Sequence, residues 1–378
     1  MTLNSEKDII KKIELVAEHV KSIKNSSLNE VCKIGIIDMQ NWEWAQGVGI
    51  YGMYRYYEYT KNKEQLDWIT DWMKRHIENG LPEKNINTTA PLLTLTYLLD
   101  YLKDRKYFDL CEEWAQWLMN ELPKTKYGGF QHVVSDGPNY MQLWDDTLFM
   151  AVLFLARMYV LTGNKDYLKE CEYQFLLHIK YLQDKKTGLW YHGWTFDGNH
   201  NFADVFWGRG NCWITIAIPE LLNMTEIDVG VRQYLINSLN AQVEALSELQ
   251  DNSGLWHTVL DDKTSYLEVS ATAGFAYGIL KGIRMGILDE KYKSMALRAC
   301  DAVIDNINKD GGVENVSYGT GMGMTVQDYK EIPICEMTYG SSLVIMLLVE
   351  LLNNMKSNKS ENFVIVSHKI SNVSTDDT

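Results

Sequence analysis

The chain has 378 residues, 46% of them hydrophobic, and a net charge of −14. The apolar content is enough for a large buried core. The acidic balance excludes a nucleic-acid partner, which needs a basic surface, and an acidic ligand would need its own pocket of cations or N–H groups.

In chain order, the start Met1-Thr2-Leu3-Asn4-Ser5-Glu6-Lys7-Asp8 is polar and lacks the charged-then-apolar pattern of a secretory leader, so a cytoplasmic location is expected. No apolar run reaches the roughly 18 residues of a membrane span. Polar outer helices are predicted near 6–23, 64–79, 106–121, 165–183, 230–250 and 290–308. More apolar inner helices are predicted to start near 42, 88, 145, 210, 270 and 339. Both sets rest on apolar residues at helical spacing. The tail 357–378 reads as polar, with one strand-like run, Phe363-Val364-Ile365-Val366.

A repeat underlies this alternation. Gly128-Gly129-Phe130-Gln131-His132 resembles Gly188-Leu189-Trp190-Tyr191-His192, then Gly254-Leu255-Trp256-His257 and, more loosely, Gly311-Gly312-Val313-Glu314. The copies start 60, 66 and 57 residues apart, and Leu-Gln-Asp runs at 182–184 and 249–251 precede the second and third. One unit is therefore an outer helix, a Gly-aromatic loop, an inner helix and a short turn. Six units fill 1–356, and six hairpins can close into an all-α (α/α)6 barrel, expected as a single catalytic domain.

In such a barrel the inner-helix starts share one mouth, where free N–H groups and dipoles favour anions. The residues falling there are Trp44, Asn87, Trp144, Asp145, Asp146, Trp207, Arg209 and Trp213, with His132 and His192 in equivalent loop slots. Twelve Trp and 22 Tyr in the chain suit stacking on sugar rings as well as helix packing. Asp145 and Asp146 point about 100° apart on a helix, so one faces the cavity and the other is left to cap. Glu43 is equally able to cap its own helix. Arg209 between two indoles suits a sugar carboxylate, or a structural ion pair. Tyr191, His257 and Glu268 are secondary candidates. The six cysteines form no C-x-x-C pair, which suggests reduced thiols. No His/Cys cluster has zinc spacing, so neither metal nor cofactor is expected.

Trp144-x-Asp146-Thr147-Leu148-Phe149-Met150, Trp207-Gly-Arg209-Gly-Asn211-x-Trp213 and Tyr191-His192-Gly193-Trp194 together resemble the unsaturated uronyl hydrolases of glycoside hydrolase families 105 and 88. The rhamnogalacturonyl group, family 105, is the nearer pattern, over roughly residues 8–355. The resemblance implies removal of a 4,5-unsaturated uronic acid from the non-reducing end of short pectin-derived oligosaccharides by hydration of the vinyl ether. It makes Asp146 the general acid/base and His192, Trp207, Arg209 and Trp213 substrate-binding, with Trp44, Asn87, His132 and Trp144 completing the expected substrate contacts. The family's second Asp at the start of inner helix two is missing: Asn85, Asn87 and Thr88 stand there. A helix start lowers a carboxyl pKa, so Asp146 needs burial to serve as a proton donor. Two rival readings use the same barrel: a sugar epimerase or isomerase with His bases, and a non-catalytic glycan-binding barrel.

Overall fold

A computed structural model describes residues 5–25 and 37–371, with side chains to Ser357. Met1–Asn4, Cys32 and the last seven residues, on which parts of the leader, thiol and tail readings fall, lie outside the described residues.

The outer helices are α1 (Glu6–Ser22), α3 (Lys63–Asn79), α5 (Arg105–Asn120), α7 (Lys165–Leu182), α9 (Val229–Leu249) and α11 (Lys293–Asp305). The inner helices are α2 (Trp44–Thr60), α4 (Ile86–Leu102), α6 (Leu153–Thr162), α8 (Gly208–Met224), α10 (Val269–Arg284) and α13 (Thr338–Ser371), and α12 (Val326–Lys330) is a short loop helix. The inner ring closes: α2 packs on α4 and α13, α10 packs on α8 and α13, and α6 bridges α4 and α8. This is the (α/α)6 barrel expected from the repeat.

Local chemistry explains the boundaries. Asn62, Asp104, Asn164 and Asp228 cap outer helices by accepting N–H bonds from the first turn, the usual role of short polar side chains there. The turns at Lys61, Lys103 and Gly163 close the preceding inner helices in left-handed conformations, which satisfies their last carbonyls.

The repeat glycines have a shared physical role. Gly128, Gly188, Gly254 and Gly311 all adopt positive φ, from 80° to 92°. A Cβ on Gly188 would lie 2.6 Å from the Ala241 carbonyl of α9, one on Gly254 2.6 Å from Arg298 O of α11, and one on Gly311 2.3 Å from Leu15 O of α1. Each of these three loops thus seats directly on the backbone of the next outer helix, and the last returns to the first. The repeated Gln clamps the same joint. Gln183 donates to Gly188 O and Ser238 O, and Gln250 donates to Gly254 O and Met295 O.

Two departures from the sequence reading concern extended chain. Short antiparallel ladders form in the loops: β1 (Gln142–Trp144) with β2 (Gly193–Thr195), and β3 (Trp256–His257) with β4 (Leu267–Glu268). Conversely, Phe363–Val366 form no strand, because α13 runs on through them to Ser371.

The barrel axis is apolar near the mouth and ionic at the far end. Trp213 packs on Phe149 and Phe149 on Tyr51. Below them the buried Glu220 carboxylate accepts from Tyr51, Arg55 and Lys281, at 2.8, 2.7 and 2.6 Å, and from Tyr277. Burial pushes Glu220 up, but Arg55 and Lys281 outweigh burial and hold it at about 2. Removing one partner of such a cluster leaves unpaired buried charge. Glu220→Ala is expected to lose about 3–5 kcal/mol at pH 7 in denaturant titration. Because the folded carboxyl is depressed, that contribution is present above the unfolded value of about 4.3 and fades as pH falls toward 2. The gap between variant and wild type should narrow over the same range.

Candidate active site

One cavity of about 250 Å³ opens where the inner-helix starts converge. Of the nine residues expected to act or bind there, eight line it: Trp44, Asn87, His132, Trp144, Asp146, Trp207, Arg209 and Trp213. His192 does not. It is buried behind the wall, with its Nδ1 2.8 Å from the Tyr329 hydroxyl and its ring against Trp207 and Trp144, at 4.4 and 5.2 Å. Its backbone matters as well, because its carbonyl accepts from Asp145 N–H and so extends the β1–β2 ladder.

That ladder delivers the Asp pair. Trp144 ends β1, Asp145 and Asp146 form the turn, and the helix behind them opens with a π turn, Leu148–Val152, before becoming α6. Such wide turns concentrate at functional sites. Asp146 reaches the cavity with its side chain 18% exposed. Burial pushes its carboxyl up, Arg209 and the helix-start N–H groups of Asp146 and Thr147 pull it down, and burial wins, leaving it at about 7. The sequence expectation of opposed effects was right, and burial is the larger one.

Asp145 is the residue turned away from the cavity, but it is not a cap. It is fully buried, and neither carboxyl oxygen has a hydrogen-bond partner. It packs beneath α8, where a Cβ on Gly210 would lie 2.3 Å from Asp145 Oδ2. Burial, and then the Asp146 charge, raise it well above the usual carboxylate range. A carboxyl raised in the fold contributes stability at low pH that is lost as pH rises. Asp145→Asn should therefore melt above wild type at pH 8 in thermal unfolding, with the gain shrinking as pH falls toward 4.

His132 stacks flat on Trp144 with centroids 4.2 Å apart, and its Nδ1 lies 2.7 Å from Thr147 Oγ1 and 3.5 Å from Asp146 Oδ1. Burial, with His192 and His178 nearby, lowers its pKa well below the usual value. Both partners are uncharged when Asp146 holds its proton, so the contact is not an ion pair at that stage. Arg209 is stacked between Trp207 and Tyr339, at 4.4 and 5.0 Å. Its Nη1 donates to Ser317 O at 3.1 Å and to the Ser317 hydroxyl, and its Nη2 donates to Tyr318 O at 3.0 Å. These acceptors are neutral, so the guanidinium keeps its charge for the cavity. Trp44 stacks on Tyr339 and meets Trp213 edge-on.

The remaining candidates do not line the cavity. Glu43 caps α2 through Trp44 N–H and accepts from Ser135. Glu268 accepts from Ser270, Ala271 and Ser317 N–H. His257 is tied to Ser265 O, and Tyr191 stacks on Phe206. Among the described residues no cluster of His, Cys, Asp and Glu could hold a metal ion, and no helix is long and apolar enough to cross a membrane.

Sequence reasoning missed the outer wall of the cavity: Asp136, Asn139, Gln142, Phe202 and the stretch Thr320–Met322 with Met324. These sit on loops with no helical period, where the one visible signal was the alternating Gly319, Gly321 and Gly323.

The model of the family described as Glycosyl Hydrolase Family 88 matches residues 16–355. The chain belongs to that family. It is a glycoside hydrolase on that ground, and its similarities agree. It is 34% identical over 318 residues to the unsaturated rhamnogalacturonyl hydrolase YesR of Bacillus subtilis (strain 168), covering 83% of this chain and 91% of that protein. A structure described as a possible member of the GH105 family, from Salmonella enterica serovar Paratyphi A, superposes with a TM-score of 0.90 at 42% identity, over 94% of this chain and 96% of that one. The unsaturated glucuronyl hydrolase of Bacillus sp. GL1 shares the fold at 16% identity, with a TM-score of 0.69 over 90% of this chain and 96% of that one. Within family 88, the kinship with family 105 expected from the motifs is met by the Salmonella structure.

Proposed function

We propose that this glycoside hydrolase removes a 4,5-unsaturated uronic acid from the non-reducing end of short pectin-derived rhamnogalacturonan oligosaccharides. The observation that carries the reading is Asp146: a carboxyl held at about 7 by burial, in a cavity whose lining cation among the described residues is Arg209. A proton donor for a vinyl ether must hold its proton near neutral pH, and a value near the working pH is the favourable one.

In the proposed reaction, Asp146 gives its proton to C4 and the double-bond electrons form the new C–H bond. Positive charge develops at C5 and on the ring oxygen, and water adds at C5. The proton lost by that water returns to the Asp146 carboxylate. The resulting hemiketal opens to the 5-ketone, leaving a hemiacetal at C1 that releases the second sugar as its alcohol. One water is consumed and the acid is regenerated. Arg209 pairs with the substrate carboxylate in a charge-assisted contact, and the surrounding indoles pack on the ring. Neutral His132 and Asn87 orient the water or the sugar hydroxyls. The two-carboxylate spacing rule for ordinary glycosidases does not apply to this chemistry.

The epimerase reading needs His bases at the substrate, and of His132, His192 and His257 the first alone lines the cavity. The assay is loss of ultraviolet absorbance from lyase-treated rhamnogalacturonan. Asp146→Asn is expected to lower kcat by about 10²–10⁴-fold with folding intact. A variant that retains near-normal turnover refutes the assignment. Because the protonated form is the active one, kcat/KM should fall as pH rises through about 7. A bound uronate adds negative charge, so the corresponding limb in kcat should lie at higher pH.

The proposed location is the cytoplasm. Cys111, Cys171, Cys212, Cys300 and Cys335 are all free thiols, the state a reducing compartment maintains. Fractionation of the source cells should recover the protein with cytosolic markers.

A further inference from the structure

The β1–β2 ladder has two faces, and the active-site cavity uses one of them. Gln142 and Trp144 line the cavity, so Leu143 between them points to the other side, because side chains alternate along a strand. Trp194 is the register partner of Leu143, and directly opposed residues share a face. Trp194, the last residue of the Tyr191-His192-Gly193-Trp194 motif, is therefore aimed away from the cavity and has no part in the reaction proposed above.

On that far face the ladder meets outer helix α7 and the Gly128 loop in an aromatic patch. Tyr181 packs on Trp194 and Phe196 at 5.4 and 4.8 Å, and Tyr127 lies nearly parallel to Tyr181 with centroids 6.1 Å apart. The patch is not a closed core: Tyr127 is 47% exposed, and Tyr181, Trp194 and Phe196 are each partly exposed. The Tyr173 hydroxyl donates to Tyr127 O, which fixes the loop that carries the outermost ring. Two lysines frame that ring. Lys180 Nζ stands 5.5 Å from the Tyr127 ring and 5.1 Å from the Tyr181 ring, and Lys126 Nζ stands 5.3 Å from Tyr127. Neighbouring Lys124 pairs with Glu170 at 3.0 Å, whereas Lys126 and Lys180 make these ring contacts and, among the described residues, no ion pair. In a chain of net charge −14, two cations left unpaired over exposed rings suit an anionic partner from outside.

We propose that this patch is a second, non-catalytic carbohydrate site on the outer wall, which holds a uronate-bearing oligosaccharide with Tyr127 and Tyr181 as its platform and Lys126 and Lys180 on the carboxylates. The binding goes beyond the function proposed above, since it needs saturated uronates in a chain and no double bond. Aromatic faces pack on the apolar C–H faces of sugar rings. The lysines set a preference for an acidic glycan over a neutral one, and the acidic balance of the whole chain excludes a nucleic acid as the anion. What the site offers the enzyme does rest on that function: a chain held on one face of the ladder raises the local concentration of substrate ends at the cavity on the other.

The probe is saturated tetragalacturonate, titrated calorimetrically into the full chain at low salt. Tyr127→Ala is expected to weaken its binding about fivefold, and Lys126→Gln combined with Lys180→Gln by a similar factor. The methyl-esterified tetramer should bind about fivefold more weakly than the acid, and raising salt to about 0.5 M should remove that difference. Turnover of the methyl glycoside of an unsaturated uronate, which has no second sugar, should stay at the wild-type level in every patch variant, and thermal melting checks that each is folded. Undetectable binding by wild type, unchanged binding in the variants, or equal binding of acid and ester overturns the proposal. A wild type that dimerises through the patch, and that Tyr127→Ala returns to monomer, overturns it in favour of an interface between copies. If wild type leaves the absorbance of the methyl glycoside intact, the unsaturated-uronate function falls, while the tetragalacturonate titration still decides the patch.

Discussion

Three of the Gly-aromatic loops, at Gly188, Gly254 and Gly311, seat on the backbone of the neighbouring outer helix, and the last one returns to the first. That contact tolerates no Cβ at Gly188, Gly254 or Gly311, so it fixes how far each hairpin is rotated from the next. The inner helices close into a ring with their N-terminal ends at one mouth. The positions of the cavity-lining residues at the helix starts follow from this. Trp44, Asn87, Asp146 and Arg209 are far apart in sequence, and each lies at or just before the start of an inner helix. The geometry of the site is a property of the repeat.

Within that frame, electrostatics distinguish two chemically identical neighbours. Asp146 faces the cavity, feels Arg209 and the helix-start N–H groups, and is poised near neutrality. Asp145 faces the protein interior, where burial and then the neighbouring Asp146 charge raise its carboxyl well above the usual carboxylate range. The fold therefore sets a second buried, upward-shifted carboxyl directly behind Asp146. The opposite end of the barrel solves the burial problem differently. There Glu220 is ionised, and two cations and two phenols surround it. Carboxyl groups in one molecule are thus buried both by neutralisation and by pairing, and only the first leaves a proton available for transfer.

Most of the barrel was legible because its code is local. Helical periodicity gave the outer and inner helices to within a few residues, and repeated Gly and Gln gave the unit length. The chemistry of the inner mouth followed from placing residues on that frame. What was not legible depends on contacts between distant segments. His192 occupies the same repeat slot as His132, yet Tyr329, 137 residues away, draws its ring behind the wall. Asp145 resembled a cap, and only its packing under Gly210 shows that it is not. The outer wall escaped notice because Phe202 and Met324 lie on irregular loops, where neither period nor propensity points to a site. The strand suggested by Phe363–Val366 reflects β propensity, which a helix already under way overrides.

The π turn at Leu148–Val152 has a consequence for how this site tolerates insertions and deletions. A turn closed over five residues contains one more residue than an α turn, and here the extra residue falls between the Asp146 carboxyl and the body of the inner helix. Deleting any one residue from that turn would leave the composition of the cavity intact while rotating Asp146 by about 100° relative to α6. The aim of the acid is therefore encoded as chain length. Anyone grafting this motif onto another barrel would have to carry the strand, the Asp pair and the wide turn as one indivisible cassette.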